Sequence, residues 1–223
     1  MRILLSCASE AERVYLCKAL SESLHSVEAT DDLRFAHYLA AQELFDALVV
    51  RVAGGPSQTG LEAALPTLAR LPGRPSLVVV LDAASPADCA RLLRAGADAC
   101  FVEPYSVMEI TERMRALSRD APGRAGRSAC EVRLDPATRE LVEGAQRVEL
   151  TRREYLVVEC LLREANAPIA RDYLIRYAWP EKEGVEPTSL NLVVLRLRRK
   201  LGACGVRTSI ETVSRYGYRL CTG

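Results

Sequence analysis

TSLNLVVLRLRRKLGACGVRTSIETVSRYGYR, residues Thr188 to Arg219, is the stretch on which the reading of this chain turns. Leu190, Val194, Leu197 and Leu201 recur at i, i+4, i+7 and i+11, the spacing of a helix that turns one apolar stripe to a core. Arg196, Arg198, Arg199 and Lys200 fall off that stripe. Gly202, just beyond it, is a residue that can take the left-handed conformation ending a helix. Ile210 to Val213 and Tyr218 to Leu220 are β-rich runs on either side of a short turn, which reads as a hairpin. A cationic helix followed by a hairpin with a basic and aromatic tip suits DNA. The helix can enter a major groove while the tip reaches a phosphate or the adjoining minor groove. The helix by itself also fits a solvated basic face with no partner; helix and hairpin together are the more specific signal.

Working upstream, Pro180 to Pro187 is a charged loop and Arg171 to Tyr177 a short helix. Thr151 and Glu154 form a capping-box pair at the start of another helix, whose expected buried stripe is Tyr155, Val158, Leu161 and Leu162. Before it lie three short strands, Glu131 to Leu134, Arg139 to Val142 and Arg147 to Leu150, separated by Asp135-Pro136 and Glu143-Gly144 turns. Residues 119–128 are rich in Pro, Gly and small polar residues and read as a linker.

Four blocks in this region, LTRREYLVVECLL (Leu150 to Leu162), ARDYLIRYAW (Ala170 to Trp179), RLRRKL (Arg196 to Leu201) and ETVSRYGYRL (Glu211 to Leu220), stand in a familiar order. They resemble the winged-helix effector domain of OmpR/PhoB-type response regulators. The resemblance implies an α+β winged helix-turn-helix domain over residues 129–223 and double-stranded DNA as its partner. It also implies RNA polymerase as a partner, with the Pro180 to Pro187 loop as the place where such contact falls. By match to the family, Arg196 is the candidate for a base edge, since a guanidinium can pair with guanine O6 and N7. Arg171, Thr188, Arg198 and Arg199 are candidates for phosphates, and Thr212 and Tyr218 for wing contacts. Trp179 either gives its indole N–H to the DNA backbone or belongs to the core. Ser214 stands where an arginine is common in the wing, so minor-groove contact passes to Arg215. Val193 and Leu195 replace polar or basic positions usual on the reading face; with Leu192 they would either touch thymine methyl groups or weaken affinity.

The first half alternates short apolar runs with helical patterns. The expected strands are Arg2 to Leu5, Ser26 to Ala29, Phe45 to Val52, Ser76 to Leu81 and Ala99 to Val102. The helices between them run from Glu10 to Leu24, from about Asp31 (capped by Asp31 or Thr30), Leu61 to Leu71, Pro86 to Ala95 and Ser106 to Leu117. In the first helix Leu16, Leu20 and Leu24 form the stripe, with Val14 and Cys17 beside it. Five such repeats give an α/β, flavodoxin-like (βα)5 domain with a parallel sheet covered on both faces and sites at the C-terminal strand ends.

Together with LRAGAD (Leu93 to Asp98) and the Glu103-Pro104-Tyr105 turn, this pattern resembles a receiver domain over residues 1–118. The family's chemistry is missing. Where its members hold Mg²⁺ with an acidic pair, this chain has Cys7 and Ala8, and the phosphoacceptor position is Arg51. Asp82 replaces a Thr or Ser, Glu103 replaces the lysine before the proline turn, and Cys100 the switch aromatic. A phosphoryl site needs an anionic nucleophile and a hard cation held by carboxylates. Here the charges are inverted, and a buried Arg51 is expected to pair with Asp82 or Glu103. On the family's dimer face Asp98, Glu109 and Arg113 match, whereas Cys89, Ala99 and Asp120 stand where charged partners are expected. A homodimer through the receiver is the implied assembly.

Composition sets the outer bounds. At 223 residues the chain is long enough for two domains, each with its own core. A formal net charge of +1 excludes blanket attraction to nucleic acid, so any DNA surface is local. No apolar run is long enough to span a membrane and no signal-peptide pattern opens the chain, which with eight scattered cysteines and no CxxC pair suggests a cytoplasmic protein with reduced thiols. His25 and His37 lack metal-ligand spacing; neither a metal nor a cofactor is expected, and no nucleophile–base pair suggests an enzyme. The preferred reading is a sequence-specific transcription regulator freed from phosphorylation and acting as a dimer on paired half-sites. A second keeps DNA binding but switches it through a cysteine, Cys100 or Cys130. A third is an adaptor contacting polymerase or a partner regulator.

Overall fold

The computed structural model describes residues 1–53, 56–120, 132–182 and 184–222. The chain divides into two compact units, Met1–Ala125 and Gly126–Gly223. The expected linker lies largely outside the described residues, as does Cys130.

In the first unit five strands, β1 (Arg2–Cys7), β2 (Ser26–Thr30), β3 (Ala47–Val52), β4 (Ser76–Leu81) and β5 (Ala99–Val102), form one parallel sheet in the order β2-β1-β3-β4-β5. Five helices connect or follow them: α1 (Glu10–Glu22), α2 (Leu33–Gln42), α3 (Pro56–Leu68), α4 (Pro86–Ala95) and α5 (Val107–Asp120). Because strand side chains alternate, the sheet makes two cores. Leu4, Leu48, Val50 and Val79 meet Ala36, Leu65 and Leu92 from α2, α3 and α4. Ile3, Leu5, Val49 and Val78 meet Leu16, Leu20, Ile110 and Met114 from α1 and α5. This is the expected doubly covered (βα)5 architecture, and the β4, α4 and β5 bounds agree with the sequence reading residue for residue.

Element ends shift, most of all in α3, which runs Pro56–Leu68 in place of Leu61 to Leu71, and in β3, which starts at Ala47 in place of Phe45; three further details differ from expectation. Asp32, not Asp31 or Thr30, caps α2, its carboxylate accepting from the Arg34 N–H at 2.7 Å. Val14 is 62 % exposed because it lies about 200° around the helix from Leu16. The first helix ends at Glu22, two residues short of Leu24, which turns into a positive φ.

The second unit opens with an antiparallel sheet of β6 (Val132–Asp135), β7 (Glu140–Glu143) and β8 (Gln146–Glu149). Then follow α6 (Arg152–Arg163), the short β9 (Ile169–Ala170), α7 (Arg171–Ala178), α8 (Pro187–Ala203) and the hairpin of β10 (Ser209–Val213) and β11 (Gly217–Cys221). Thr151 and Glu154 make both bonds of the expected capping box. Leu162 is only half-buried, whereas α6 buries Leu156, Val157 and Cys160 beyond the expected stripe. The hairpin is anchored by β9, which pairs with β11 at Gly217 and Tyr218. A Cβ at Gly217 would sit 1.9 Å from the Ile169 carbonyl oxygen, so this backbone approach requires glycine. Gly202 does not end α8: the helix continues to Ala203, and Gly205 takes the left-handed φ of 65°. Buried Glu143 binds the sheet to the segment after α8, accepting from Arg207 N–H at 2.6 Å and Thr208 O–H at 2.9 Å.

Candidate nucleic-acid interface and the pocket at the sheet edge

Helix α8 sorts its side chains by angle, at about 100° per residue. Leu190, Val193, Val194, Leu197 and Leu201 are buried and form one row. Thr188, Leu192, Leu195, Arg196 and Arg199 are exposed and form a row centred about 170° away. Val193, assigned by sequence to the reading face, therefore belongs to the core; Leu195 does not, and is 45 % exposed.

The two flanks of α8 are tied to the rest of the unit. On one, Arg198 Nε donates to the Ile210 carbonyl at 2.8 Å and Nη2 to Thr212 Oγ1 at 2.9 Å, binding helix to wing. Beside it the Tyr218 hydroxyl donates to Asn191 Oδ1 at 2.7 Å. On the other flank Lys200 Nζ donates to Glu154 Oε2 at 2.7 Å and the Glu149 carbonyl at 3.0 Å. Burial works against the charge of Glu154, but the Lys200 ammonium and the Thr151 donors outweigh it and hold the carboxyl below its ordinary range. Arg198, Thr212 and Tyr218, all expected to touch DNA, thus have intramolecular work. Tyr218 is only 4 % exposed, between the guanidinium groups of Arg171 at 5.7 Å and Arg198 at 5.9 Å from its ring centre.

Of the remaining expected residues, Trp179 is buried under the Arg153 guanidinium and takes the core alternative. Arg171 is half-buried at the start of α7, and Thr188 Oγ1 donates to Glu186 at 3.1 Å in the first turn of α8. Arg215 is exposed in the β10–β11 turn at a φ of 59°. Tyr216, half exposed next to it, was not singled out by sequence; its place in a hairpin turn is the signal that would have found it.

At the other end of the chain, the C-terminal strand ends of the first unit gather the residues that replace the family's phosphorylation site. Cys7 lies level with Arg51 on neighbouring strands. The Arg51 side chain is 5 % exposed, and its Nη2 donates to Glu12 Oε1 and Glu103 Oε1, both at 2.7 Å. Nη1 donates to the Val52 carbonyl at 2.9 Å. Burial opposes the guanidinium charge, but Glu12, Glu103 and Asp82 outweigh it and hold the group above its ordinary range. Asp82 accepts from the Ala83 N–H at 2.9 Å. Of the two expected partners of Arg51, then, Glu103 makes the ion pair. Glu12 was missed. Its signal is topological: α1 opens at the C-terminal end of β1, next to β3, so an acid in the first turn of α1 can reach Arg51.

This donor set does not fit the Mg²⁺ of the family. Buried Cys7 and exposed Ala8 offer no hard oxygen side chain, and a guanidinium already occupies the space between Glu12 and Glu103. Among the described residues no group of three or more His, Cys, Asp or Glu is placed to hold a metal, and no helix is long and apolar enough to cross a membrane. Burial raises the thiols of both Cys7 and Cys100, the latter to about 11.

The chain is similar to known proteins along nearly its whole length. Residues 145–220 match the family model described as "Transcriptional regulatory protein, C terminal". The chain is 32 % identical to the two-component response regulator PhoP of Pseudomonas aeruginosa over 209 residues, 92 % of either chain. It is 33 % identical to the response regulator MprA of Mycobacterium leprae over 226 residues, 99 % of this chain and 98 % of that one. Among solved structures, DrrB of Thermotoga maritima, an OmpR/PhoB homologue, aligns over 100 % of this chain and 99 % of its own at 19 % identity and a TM-score of 0.44.

Proposed function

Since this chain belongs to the OmpR/PhoB-type response regulators, which are DNA-binding transcription regulators and not enzymes, we propose that it works without phosphorylation and binds paired DNA half-sites as a dimer. One observation carries the first part: Arg51 fills the acceptor position and is held there by Glu12 and Glu103. A guanidinium cannot accept a phosphoryl group as a carboxylate does, and the groups that would hold Mg²⁺ are absent from Cys7 and Ala8. In this reading the Arg51 ion pairs hold the receiver in one state in place of two.

In the effector unit the exposed row of α8 enters the major groove, with Arg196 on a base edge and Arg199, Thr188 and Arg171 on phosphates. Arg215 reaches the minor groove from the wing tip. The dimer uses the α4–β5–α5 face, where a cavity of about 500 Å³ is lined by Leu93, Asp98, Cys100, Glu109 and Arg113 among others. Leu93 and Met108 are exposed on α4 and α5, which gives this face apolar area in place of missing charges. The protein acts in the cytoplasm, and RNA polymerase meets the segment between α7 and α8.

The redox alternative finds no support at Cys100, since a thiol pushed up to about 11 stays protonated and is a poor nucleophile. The test combines two measurements on the unmodified full chain. Labelled acetyl phosphate should leave residues 1–118 unlabelled, and a gel-shift titration should show specific, salt-dependent binding without any phosphodonor. Near-stoichiometric label in the first unit would overturn the phosphorylation-independent reading.

A further inference from the structure

We infer that the sequence preference of this protein is carried chiefly by thymine methyl groups packed against Leu192 and Leu195, with Arg196 supplying the one polar base contact. The inference rests on α8 being the helix that enters the major groove, and it adds what that helix can read there.

The argument begins with what α8 has left to offer. Three of its polar side chains face the groove-bound row from the flanks, but all three are committed elsewhere in the unit. Arg198 is bound to Ile210 and Thr212, Asn191 to Tyr218, and Lys200 to Glu154 and Glu149. Thr188 stands in the first turn with its hydroxyl on Glu186. The exposed row that remains is Thr188, Leu192, Leu195, Arg196 and Arg199, at i, i+4, i+7, i+8 and i+11. Leu192 and Leu195 occupy its middle, 54 % and 45 % exposed.

An isolated exposed leucine needs no explanation. These two are adjacent on one helix face, one turn apart, with Arg196 one turn beyond Leu192 and Arg199 one turn beyond Leu195 on the same row. A row with arginines at its C-terminal half and leucines at its centre brings aliphatic surface to the floor of a groove. Most of that floor is polar, and the thymine C5 methyl is its one apolar group. Leucine offers no donor or acceptor to the bases, so these positions distinguish thymine from cytosine by the methyl and penalise the exposed amino and carbonyl edges that they would desolvate. Half-sites should therefore carry thymines over two successive contact positions beside one guanine.

The test uses a site selected from random duplexes by the full-length protein, then remade with deoxyuridine for thymine one position at a time. Deoxyuridine removes the methyl and keeps the base-pairing edge. Wild-type protein should lose about fourfold in affinity per contacted methyl, the worth of one buried methyl-sized group. In Leu195→Ala the penalty at one position should vanish, and in Leu192→Ala the penalty at its neighbour. Both leucines are exposed, so an unchanged melting curve checks that each variant folds. Neutral deoxyuridine at every position in wild type would overturn the inference while leaving DNA binding intact. So would a penalty that persists in both alanine variants. Failure to retain any duplex would overturn the DNA-binding reading beneath it as well.

Discussion

Arg51 and Arg196 are the same side chain set to opposite work. Arg51 sits at the centre of a strand-end pocket, 6 % exposed, with its Nη2 shared between two carboxylates. Arg196 stands on the outer row of α8, in solvent. The first unit thus spends its central cation internally, on pairing with two carboxylates at its own strand ends. On the exposed row of α8 the second unit leaves Arg196 and Arg199 to a partner, while Arg198 and Lys200 on the flanks hold the helix to the rest of the unit. The difference teaches how placement sets the work of a guanidinium: ringed by carboxylates at a strand end it holds its own fold, and on an exposed helix row it is left to a partner.

The largest effect should come from breaking the Arg51 lock. Arg51→Asp places a third carboxylate beside Glu12 and Glu103 and removes their cation. We expect a loss on the order of 3 kcal/mol at pH 7, an upper figure because Glu12 and Glu103 are more than a third exposed and water screens them. Crowding would raise the new carboxyl's pKa, so the penalty should shrink as pH falls and the group protonates. Arg51→Met should cost about 1 kcal/mol or less, since an apolar side chain suits the buried position and the two acids can turn outward. Thermal melts followed by far-ultraviolet circular dichroism would measure both. A melting temperature for Arg51→Asp at or above wild type at pH 7 would contradict the lock.

On the other side of the comparison, Arg196→Ala should leave the fold untouched and cost roughly 1–3 kcal/mol on the selected site. Preference should relax at a single position while binding to random duplex changes little. An equal loss on selected and random DNA would demote Arg196 to a phosphate contact.

Acid should separate the two units. Both histidines of the chain, His25 and His37, lie in the first. His25 is 3 % exposed with both ring nitrogens buried and without a partner. Burial pushes its pKa down to about 2, helped by the N-terminal ammonium and Arg115 and opposed by Asp46. Below about 6.5 the unfolded chain binds a proton there that the folded chain does not, so stability falls as pH falls, by about 1.4 kcal/mol per unit. His25→Phe should flatten that slope. The single tryptophan, Trp179, reports the second unit by fluorescence, and its transition should lack the histidine contribution. A wild-type slope unchanged in His25→Phe would remove His25 from the account.

Much of this was legible from residue spacing. The apolar stripe of α8, the capping box of α6 and the charge inversion at Arg51 are local patterns or single positions, and each needs only the period of a helix or the order of strands. What stayed hidden depends on contacts across the chain. Glu12 lies 39 residues from Arg51 in sequence, and nothing local marks it as a partner. Val193 and Leu195 differ by two residues and by burial, because two residues move a side chain about 200° around the helix. Arg198 and Arg199 read alike in sequence; the wing, folded back on one flank, distinguishes them.

That last pair gives the smallest and sharpest test. If counterion release counts only cations that meet phosphates, Arg199→Ala should lower the slope of log affinity against log salt by about 0.9 and cost well under the loss seen at Arg196. Arg198→Ala should leave the slope nearly unchanged. It removes two hydrogen bonds, to the Ile210 carbonyl and the Thr212 hydroxyl, and should cost about 1–2 kcal/mol of stability in the second unit. Arg198→Lys should not rescue it, because an ammonium cannot reproduce the forked geometry that reaches both acceptors. The two readouts are independent: a salt titration sees the phosphate, and a Trp179 melt sees the wing. A slope that drops by one charge in Arg198→Ala, with no change in melting, would return Arg198 to the DNA and make its bonds to the wing incidental.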